Sequence, residues 1–405
     1  MDQPRILGIG IIGLGAAAVN MLPAFDRSPY FSVVAACDVD PETLRRFKRD
    51  RPAAETFGAI EQICACPAVD LTYIGTPTRL HREHACTALQ QKKHVLIEKP
   101  MAVTLEEADA MIASADRHGV LLGVNVKHSF EPRIQSLRAL ARSGTLGALK
   151  MIHHWRYVDW LYQPRSLAER TPQWGAGILW RQGPHQFDLI RTIGGGMVRS
   201  VRGTCQKFDP ARGVDGAYSA FLEFEDGVTC TVICSGYDHF DSRDLVNGFK
   251  GEAPLGPPAQ HARARRTLEA HSADPLWEER AALGERYGGS DDTNSLGPSS
   301  SWLMRGPLIA SFERADVRLS RAGLIVDGDR DQREIAVGDQ ADGRDGRLAT
   351  FYRAIIDGRP LPADGRWGKA TQELLVAMER SAATREEILL KNQTPYADDG
   401  EPPAS

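Results

Sequence analysis

The feature that most constrains the fold is an apolar segment, residues 6–12, that runs into the glycine-rich turn Gly13–Gly15. A short apolar run of this kind is typical of a strand buried on both faces of a parallel sheet. Glycines at both ends of the turn allow a tight bend and let a ligand approach the backbone. A helix is expected to begin at Ala16, where its first amide groups are suited to phosphates, and the small Ala18 lets it pack closely on the strand.

An acidic residue follows the second predicted strand. Residues 31–37 form that strand, and Asp38 stands at its end, about 20 residues beyond the turn. A carboxylate at this point can accept hydrogen bonds from ribose hydroxyls and repels a 2′-phosphate. The turn and Asp38 therefore predict a dinucleotide site that prefers NAD. NADP stays possible, since Arg45 and Arg46 lie one or two helical turns further on.

The first third of the chain alternates between strand and helix patterns. Further buried strands are predicted at residues 71–75, 94–98 and 120–126, and amphipathic helices are expected between the strands. Asp40 and the capping box of Thr104 and Glu107 predict where two of these helices begin. Such alternation predicts an α/β fold, in which a doubly wound parallel sheet of the Rossmann type forms an N-terminal domain over residues 1–125.

Beyond residue 125 the patterns change, because strand candidates accumulate with few helices between them. Residues 221–232 alternate around Asp226-Gly227, which is a strong hairpin signal. We expect a C-terminal α+β domain, residues 126–392, built on a largely antiparallel sheet. Residues 248–301 are rich in Gly, Pro, Ala, Arg and Ser and are expected to form a flexible or partly helical insertion, either a lid or inert, before a disordered tail at 393–405.

The overall composition excludes several classes of function. A net charge of −4 over 405 residues favours neither a nucleic-acid surface nor a membrane surface. The seven cysteines show no Cys-x-x-Cys pairs, so we expect reduced thiols and no metal site. The N-terminus shows no signal-peptide pattern, and the expected location is the cytoplasm. A small molecule is therefore the expected partner.

Two polar clusters interrupt these patterns. Glu98-Lys99-Pro100 ends a predicted strand at the carboxyl edge of the sheet, where ligands bind in such folds. His185 and Asp188 lie three residues apart and so share one face of a predicted helix. Taken singly, Lys99 could be an ordinary strand terminus and His185 a core histidine.

Together with the turn, these clusters resemble the glucose–fructose oxidoreductase/inositol dehydrogenase (Gfo/Idh/MocA) family. The resemblance rests on four segments: Gly13–Gly15, Gly75–His81, His94–Met101 and Gly183–Asp188. It implies an NAD(P)-dependent dehydrogenase of secondary alcohols that forms a homodimer or homotetramer through its C-terminal sheets. It further implies that Lys99 and His185 sit at the reacting hydroxyl. The residues that it implies at the cofactor are Thr76, Pro77, His81 and Glu98.

One departure from the family pattern bears on the substrate. Many members carry Asp four residues before the histidine, but this chain has Arg181. A permanent cation cannot act as a base and is suited to an anionic substrate group. Lys127 and Arg165 add positive charge, and Asp188 completes the predicted substrate site. Residues 157–165 and 236–241 are similar to those of the family's dihydrodiol dehydrogenases, which act on carboxylated arene cis-dihydrodiols such as the phthalate and chlorobenzoate ones.

Several alternatives remain open from the sequence. A sugar, sugar-acid or cyclitol dehydrogenase of the same family is one of them, and Arg181 argues against a neutral polyol. A non-catalytic NAD(P)-binding regulatory protein is another, and the presence of both Lys99 and His185 argues against it. The residue pattern does not decide which of these two residues is the base.

Overall fold

The computed structural model describes residues 5–242, 245, 261–289, 306–337 and 343–398. Its first sheet is parallel, as the alternating pattern predicts, and has the strand order β3-β2-β1-β4-β5-β6. Its strands are β1 (Leu7–Ile12), β2 (Phe31–Cys37), β3 (Glu55–Phe57), β4 (Leu71–Ile74), β5 (His94–Glu98) and β6 (Leu122–Asn125). Of these, only β3 was not expected, because three residues are too few to show a periodicity.

Helices cover both faces of this sheet, and a side-chain cap marks where two of them begin. Asp40 accepts hydrogen bonds from the backbone amides of Glu42 and Thr43, and Thr104 accepts one from Glu107. The helices are α1 (Ala16–Arg27), α2 (Pro41–Asp50), α3 (Ile60–Ala65), α4 (His81–Gln90) and α5 (Leu105–His118). The capped starts of α2 and α5 are those that the sequence predicts.

The strand order reverses between β1 and β4, which places the segments after these two strands side by side. Gly13 follows β1 with φ +88°, a backbone conformation that favours glycine. A Cβ atom at Gly13 would lie 2.8 Å from Cγ2 of Thr76, which follows β4. The turn and Thr76 therefore line the same crevice at the carboxyl edge of the sheet.

The second sheet has nine strands in the order β14-β13-β12-β11-β7-β10-β9-β8-β15. Among the described strands only β7 and β10 pair in parallel within it, so the predicted, largely antiparallel sheet is confirmed. The strands are β7 (Leu149–Tyr157), β8 (Val198–Gln206), β9 (Ala217–Phe224), β10 (Thr229–Ser235), β11 (Leu308–Phe312), β12 (Ala315–Leu319), β13 (Gly323–Gly328), β14 (Gln332–Ala336) and β15 (Ile388–Leu389). The hairpin predicted at Asp226-Gly227 joins β9 to β10.

Helices from several parts of the chain pack on this sheet and on the first one. They are α6 (Pro132–Ser143), α7 (Leu167–Arg170), α8 (Gly177–Ile193), α9 (Arg263–Ala270), α10 (Trp277–Gly284), α11 (Gly343–Asp357) and α12 (Gly365–Thr384). The long helix α12 contacts β8 of the second sheet and also α5 and β6 of the first. Although the sequence assigns α11 to the second domain, its Leu348 and Phe351 pack in the core around β1.

The C-terminal segment differs from the disordered tail that we expected to begin at Gln393. Tyr396 donates its backbone amide to Gly195 at 2.9 Å, and its ring meets the ring of Trp367 edge-on at 5.2 Å. Asp398 pairs with Arg138 at 2.6 Å. These contacts fix residues 393–398 against the second domain, because aromatic and charged side chains find partners there that lie far away in the chain.

Of the predicted insertion, residues 261–289 are described, and residues 248–260 and 290–301 lie outside the described residues. The described part forms α9 and α10, in the region where the sequence favours partial helix. No helix in the described part of the chain is long and apolar enough to span a bilayer.

Candidate active site

Asp38 fixes the glycine-rich turn. Its Oδ2 accepts a hydrogen bond from the amide of Leu14 at 2.7 Å, and its Oδ1 accepts one from the amide of Asp40 at 2.9 Å. The carboxylate therefore joins the ends of β1 and β2. The sequence predicts a contact of Asp38 with the ribose, and the structure adds a second role, which is to hold the turn in place.

The turn fits the diphosphate of a dinucleotide. A Cβ atom at Gly15 would meet nothing within 4 Å, so the space above the backbone is open. Among the described residues no side chain caps α1, and the amides at its start remain available. Helix N-termini with available amides bind phosphate groups well. Ala18 is fully buried, which lets α1 pack closely on the sheet.

The arginines near Asp38 are paired with carboxylates. Arg45 and Arg46 both contact Glu42, and the Nε of Arg46 lies 2.9 Å from its Oε1. Arg286, from the described part of the insertion, lies 3.1 Å from Oδ2 of Asp40. A cation that is already neutralised attracts an added phosphate less strongly than an unpaired one.

Thr76 and His81 lie beside the crevice, but only Thr76 is accessible from it. His81 is buried, with its Nε2 at 2.8 Å from the carbonyl oxygen of Thr76 and its Nδ1 at 3.1 Å from that of Pro100. Burial lowers the pKa of His81. The predicted cofactor contact of His81 is therefore corrected: this ring positions Thr76 and the turn after β5. Pro77 is exposed at the crevice.

Glu98 is held by a network at the ends of three strands. Its Oε1 accepts a hydrogen bond from the hydroxyl of Tyr73 at 2.7 Å and another from the amide of Asn125. Its Oε2 accepts one from the backbone amide of Lys99 at 3.2 Å. The contribution of Tyr73 is not predicted from the sequence, because it looks there like an ordinary apolar strand residue. The network orients the end of β5 and with it Lys99.

Lys99 reaches from the first domain to the second. Its Nζ donates a hydrogen bond to the backbone carbonyl of Arg181 at 3.2 Å. Burial is the largest influence on its ammonium group and lowers the pKa of Lys99 from 10.5 to about 8. The charge of Glu98 opposes this shift, and the charges of Arg181 and Lys127 reinforce it. Near neutral pH, Lys99 can therefore exist in both protonation states.

His185 lies on α8, within the field of the same cations. Burial, followed by the charges of Lys99 and Lys127, lowers the pKa of His185 well below 6.5. Its Nδ1 is buried and has no hydrogen-bond partner among the described residues. The ring of His128 meets it edge-on, with 5.0 Å between the ring centroids, and His128 in turn binds Glu131 at 2.8 Å. His185 is therefore neutral.

The charges of Arg181 and Arg165 both act on a carboxylate, Glu169, that the sequence did not indicate. Glu169 lies on α7, where burial alone would raise the pKa of this carboxyl, but the charges of Arg165 and Arg181 outweigh burial and lower it. The Nε of Arg181 is buried without a hydrogen-bond partner in the described part of the chain. The capping-box pattern of Ser166 and Glu169, which the structure contains, is the signal that could have indicated this helix.

Arg165 differs from Arg181 because its donors are already in use. Its guanidinium donates to the carbonyl of Trp160 at 3.0 Å and to Oε1 of Gln163 at 2.6 Å, and it stacks over the ring of Trp160. Its Nη1 also contacts Glu169 at 3.4 Å. Of the two predicted arginines, Arg181 is the better placed to bind an anionic ligand.

Asp188 is completely buried, unlike a residue that contacts substrate. Its Oδ1 accepts a hydrogen bond from the indole of Trp367 at 2.7 Å. Burial raises the pKa of Asp188, and the hydrogen bond from Trp367 opposes that shift. The predicted substrate contact of Asp188 is therefore corrected: it ties α8 to α12. Helical spacing from His185 could not reveal that the two side chains meet different surroundings.

The described residues contain no group of three or more His, Cys, Asp or Glu side chains arranged to hold a metal ion. The site thus combines an open phosphate cradle, a lysine with a lowered pKa, a neutral histidine and a buried arginine. This set can bind a dinucleotide and an anionic substrate and can remove a proton between them.

Comparison with protein families assigns both domains. Residues 7–126 match the family described as "Oxidoreductase family, NAD-binding Rossmann fold", and residues 134–253 match the "GFO/IDH/MocA C-terminal domain".

Relatives of known name match most of the chain. The 1-carboxy-3-chloro-3,4-dihydroxycyclohexa-1,5-diene dehydrogenase of Comamonas testosteroni is 36% identical over 374 residues, which are 91% of this chain and 93% of the relative. The trans-1,2-dihydrobenzene-1,2-diol dehydrogenase of Bos taurus is 27% identical over 62% of this chain and 74% of the relative.

Solved structures agree with the fold, and together with the sequence matches they establish the family. The crystal structure of a proposed dehydrogenase from Bordetella bronchiseptica RB50 is 32% identical, with a TM-score of 0.86 over 95% of this chain and 100% of the other. An Agrobacterium radiobacter oxidoreductase in complex with NAD+, L-tartaric acid and magnesium is 18% identical, with a TM-score of 0.70 over 95% and 98%. The chain therefore belongs to the Gfo/Idh/MocA family and is an NAD(P)-dependent oxidoreductase.

Proposed function

We propose that the protein is an NAD-dependent dehydrogenase that oxidises a carboxylated arene cis-dihydrodiol to the corresponding catechol. The observation that carries this proposal is Arg181, whose buried Nε has no hydrogen-bond partner among the described residues and whose charge acts on Lys99. A buried guanidinium binds most strongly to an anion, and a carboxylate matches its planar donor geometry.

The names of two relatives support the choice of substrate. The relative from Comamonas testosteroni is named for a ring that carries a carboxyl group and two hydroxyl groups, and the bovine relative for a dihydrodiol without a carboxyl group. The diol is common to both names, and Arg181 favours the carboxylated version.

The substrate carboxylate is bound first by Arg181 and second by Lys127. The charge of Lys127 acts on both Lys99 and His185, which supports a role for it at the same substrate. Arg165 supports this arrangement less directly, because its guanidinium is engaged with Trp160 and Gln163. Charge-assisted hydrogen bonds also orient the ring, and with it the reacting hydroxyl.

Lys99 takes the proton of that hydroxyl. With a pKa of about 8, part of its population is neutral near pH 7 and can accept a proton. Neutral His185 holds the hydroxyl through a hydrogen bond, and its strongly lowered pKa makes it the weaker base. A nicotinamide cofactor held at the turn Gly13–Gly15 would supply the acceptor for the hydride of the carbinol carbon. The resulting ketone tautomerises to the catechol, and aromatisation makes the oxidation effectively one-way.

The preference for NAD over NADP is supported by charge. Asp38 lies where a 2′-phosphate would be repelled, and the nearby Arg46 and Arg286 are already paired with Glu42 and Asp40. Thr76 and Pro77 line the crevice on the nicotinamide side, next to the end of β5 that Glu98 orients.

The second sheet supports the proposal of a homodimer or homotetramer. Met151 and Trp155 on β7 and Phe221 on β9 are exposed on one face of it. Apolar side chains gathered in this way commonly mark an interface between subunits. The expected result for Trp155→Glu is a smaller mass by light scattering.

All seven cysteines are free, which supports a cytoplasmic location.

Incubation of the purified protein with NAD and a set of candidate alcohols tests the proposal. The set contains a carboxylated dihydrodiol, its uncharged counterpart, a sugar acid and a cyclitol, and the readout is NADH absorbance. We expect the carboxylated dihydrodiol to give the highest kcat/KM. Oxidation of the cyclitol alone would contradict the proposal, and NAD binding without turnover of any alcohol would favour a regulatory protein.

A further inference from the structure

The described part of the insertion, residues 261–289, is anchored on the second domain at one end, and we refer to it as the strap. Arg265 donates to the carbonyl of Tyr237 at 2.6 Å, and its guanidinium lies 3.7 Å from the ring centroid of Tyr162. Glu278 accepts two hydrogen bonds from the guanidinium of Arg212, at 2.7 and 2.8 Å. Neither helix of the strap has a buried residue, so these contacts hold it on the surface.

The other end of the strap reaches the first domain through Tyr287. Its ring meets the ring of Phe47 at 5.2 Å, and its hydroxyl donates to Oδ2 of Asp50 at 3.1 Å, so both side-chain contacts are with α2. Its backbone amide donates a hydrogen bond to the carbonyl of Leu14 at 2.9 Å. The strap therefore ends on the glycine-rich turn itself.

The peptide groups of Leu14 are held from two directions. Asp38 accepts the amide hydrogen at 2.7 Å, and Tyr287 donates to the carbonyl oxygen at 2.9 Å. Leu14 stands between Gly13 and Gly15, whose backbones have the greatest conformational freedom. A turn that is fixed before its ligand arrives loses less entropy on binding.

We propose that Tyr287 is a positioning residue for the dinucleotide, which holds the glycine-rich turn in its binding conformation through the hydrogen bond to Leu14. Its ring and hydroxyl anchor that backbone bond to α2. The proposal concerns the cofactor and is independent of which alcohol the enzyme oxidises.

The test compares Tyr287→Ala with Tyr287→Phe and with the control Arg280→Ala. The first removes both side-chain anchors, the second removes only the hydrogen bond to Asp50, and the control removes an ion pair to Asp274 that lies within the strap. NADH dissociation is followed by its fluorescence, without substrate. We expect release to be about tenfold faster in Tyr287→Ala, about two- to threefold faster in Tyr287→Phe, and unchanged in the control.

A kinetic comparison separates positioning from general damage. In Tyr287→Ala the KM for NAD rises, while the KM for the alcohol stays within about twofold of the wild-type value. Limited proteolysis gives a second readout, in which NADH protects the strap of the wild-type protein and protects that of Tyr287→Ala less. If Tyr287→Ala does not fold, Asp50→Ala removes the partner of the hydroxyl from α2 instead.

Unchanged NADH release in a folded Tyr287→Ala variant, together with equal protection by NADH, would overturn the proposal. Because these binding measurements contain no alcohol, their failure is distinct from a failure to find a dihydrodiol substrate.

Discussion

The ammonium group of Lys99 donates a hydrogen bond to the backbone carbonyl of Arg181, 82 residues further along the chain, at 3.2 Å. This contact joins the end of β5 to α8, and therefore joins the two polar clusters that the sequence shows separately. It also places the charge of Arg181 close enough to lower the pKa of Lys99. Proton removal and anion binding are thus coupled in one pocket, and several predictions depend on this coupling.

Replacement of Lys99 by Met is expected to lower kcat by about 10²- to 10⁴-fold, because it removes the proposed base. NADH binding, measured by fluorescence, should change little, since the phosphate cradle at Gly15 does not include Lys99. Lys150→Met is a suitable control, because Lys150 pairs with Glu313 at the surface. Full turnover of the Lys99 variant would refute this assignment.

The pH dependence of kcat/KM should show a single rising limb with its midpoint near pH 8. The neutral form of Lys99 increases as the pH rises through its pKa of about 8, so the rate increases with pH and levels off above that value. Loss of a neighbouring cation raises the pKa of Lys99, and Arg181→Gln should therefore move the limb to higher pH. A limb below pH 6.5 that disappears in His185→Asn would instead identify the histidine as the base.

Arg181→Gln is also expected to weaken binding of carboxylated substrates. The loss of a charge-assisted hydrogen bond costs about 1.5–3 kcal/mol, which corresponds to an increase in KM of roughly 10- to 100-fold. An uncharged dihydrodiol should show little change in KM. Arg165→Gln is the matched comparison, and it should lower thermal stability more than affinity, since Arg165 holds the carbonyl of Trp160. Equal losses for charged and uncharged diols would argue against a carboxylate contact.

Asp38→Asn should reduce the discrimination between NAD and NADP. The substitution removes the negative charge that repels a 2′-phosphate. It also removes one of the two carboxylate oxygens that accept hydrogen bonds from the amides of Leu14 and Asp40. We expect the KM for NAD to rise by about tenfold and the KM for NADP to fall. Glu42→Gln removes the ion-pair partner of Arg45 and Arg46 and should change the KM for NADP more than the KM for NAD. An unaltered ratio of the two kcat/KM values in Asp38→Asn would contradict this role.

Trp367→Phe should lower the free energy of unfolding by about 1–3 kcal/mol, because it leaves the buried carboxylate of Asp188 without its indole donor. Urea denaturation measures the loss, and Trp277→Phe is the control, because Trp277 lies on α10, a helix without buried residues. The KM for NAD should remain close to that of the wild type. A strong rise in the KM for the alcohol with little change in the free energy of unfolding would instead indicate that Asp188 contacts the substrate.

Local signals allowed much of the fold to be predicted. The capping residues Asp40 and Thr104 begin the helices that they predict, and Asp226-Gly227 forms the expected hairpin. Such signals act between residues only a few positions apart, so the chain carries them wherever it packs. Elements with few residues, such as β3 and β15, carry no comparable signal.

The sequence predicts the polar residues of the site less completely than it predicts the fold. Their presence in the chain indicated a dinucleotide turn and a pocket with Lys99, His185 and Arg181, but not the partners of each side chain. Only the tertiary structure decided that His81 and Asp188 are enclosed, since Pro100 and Trp367 come from other elements.

The sequence by itself determined the doubly wound domain, the glycine-rich turn and the residue types of the site. The tertiary structure decided which of these groups remain available to ligands, and it brought Tyr287 to the carbonyl of Leu14. The physical reason is that burial and charge act through space: the pKa of Lys99 depends on Arg181 and on the packing around it, which no local pattern contains.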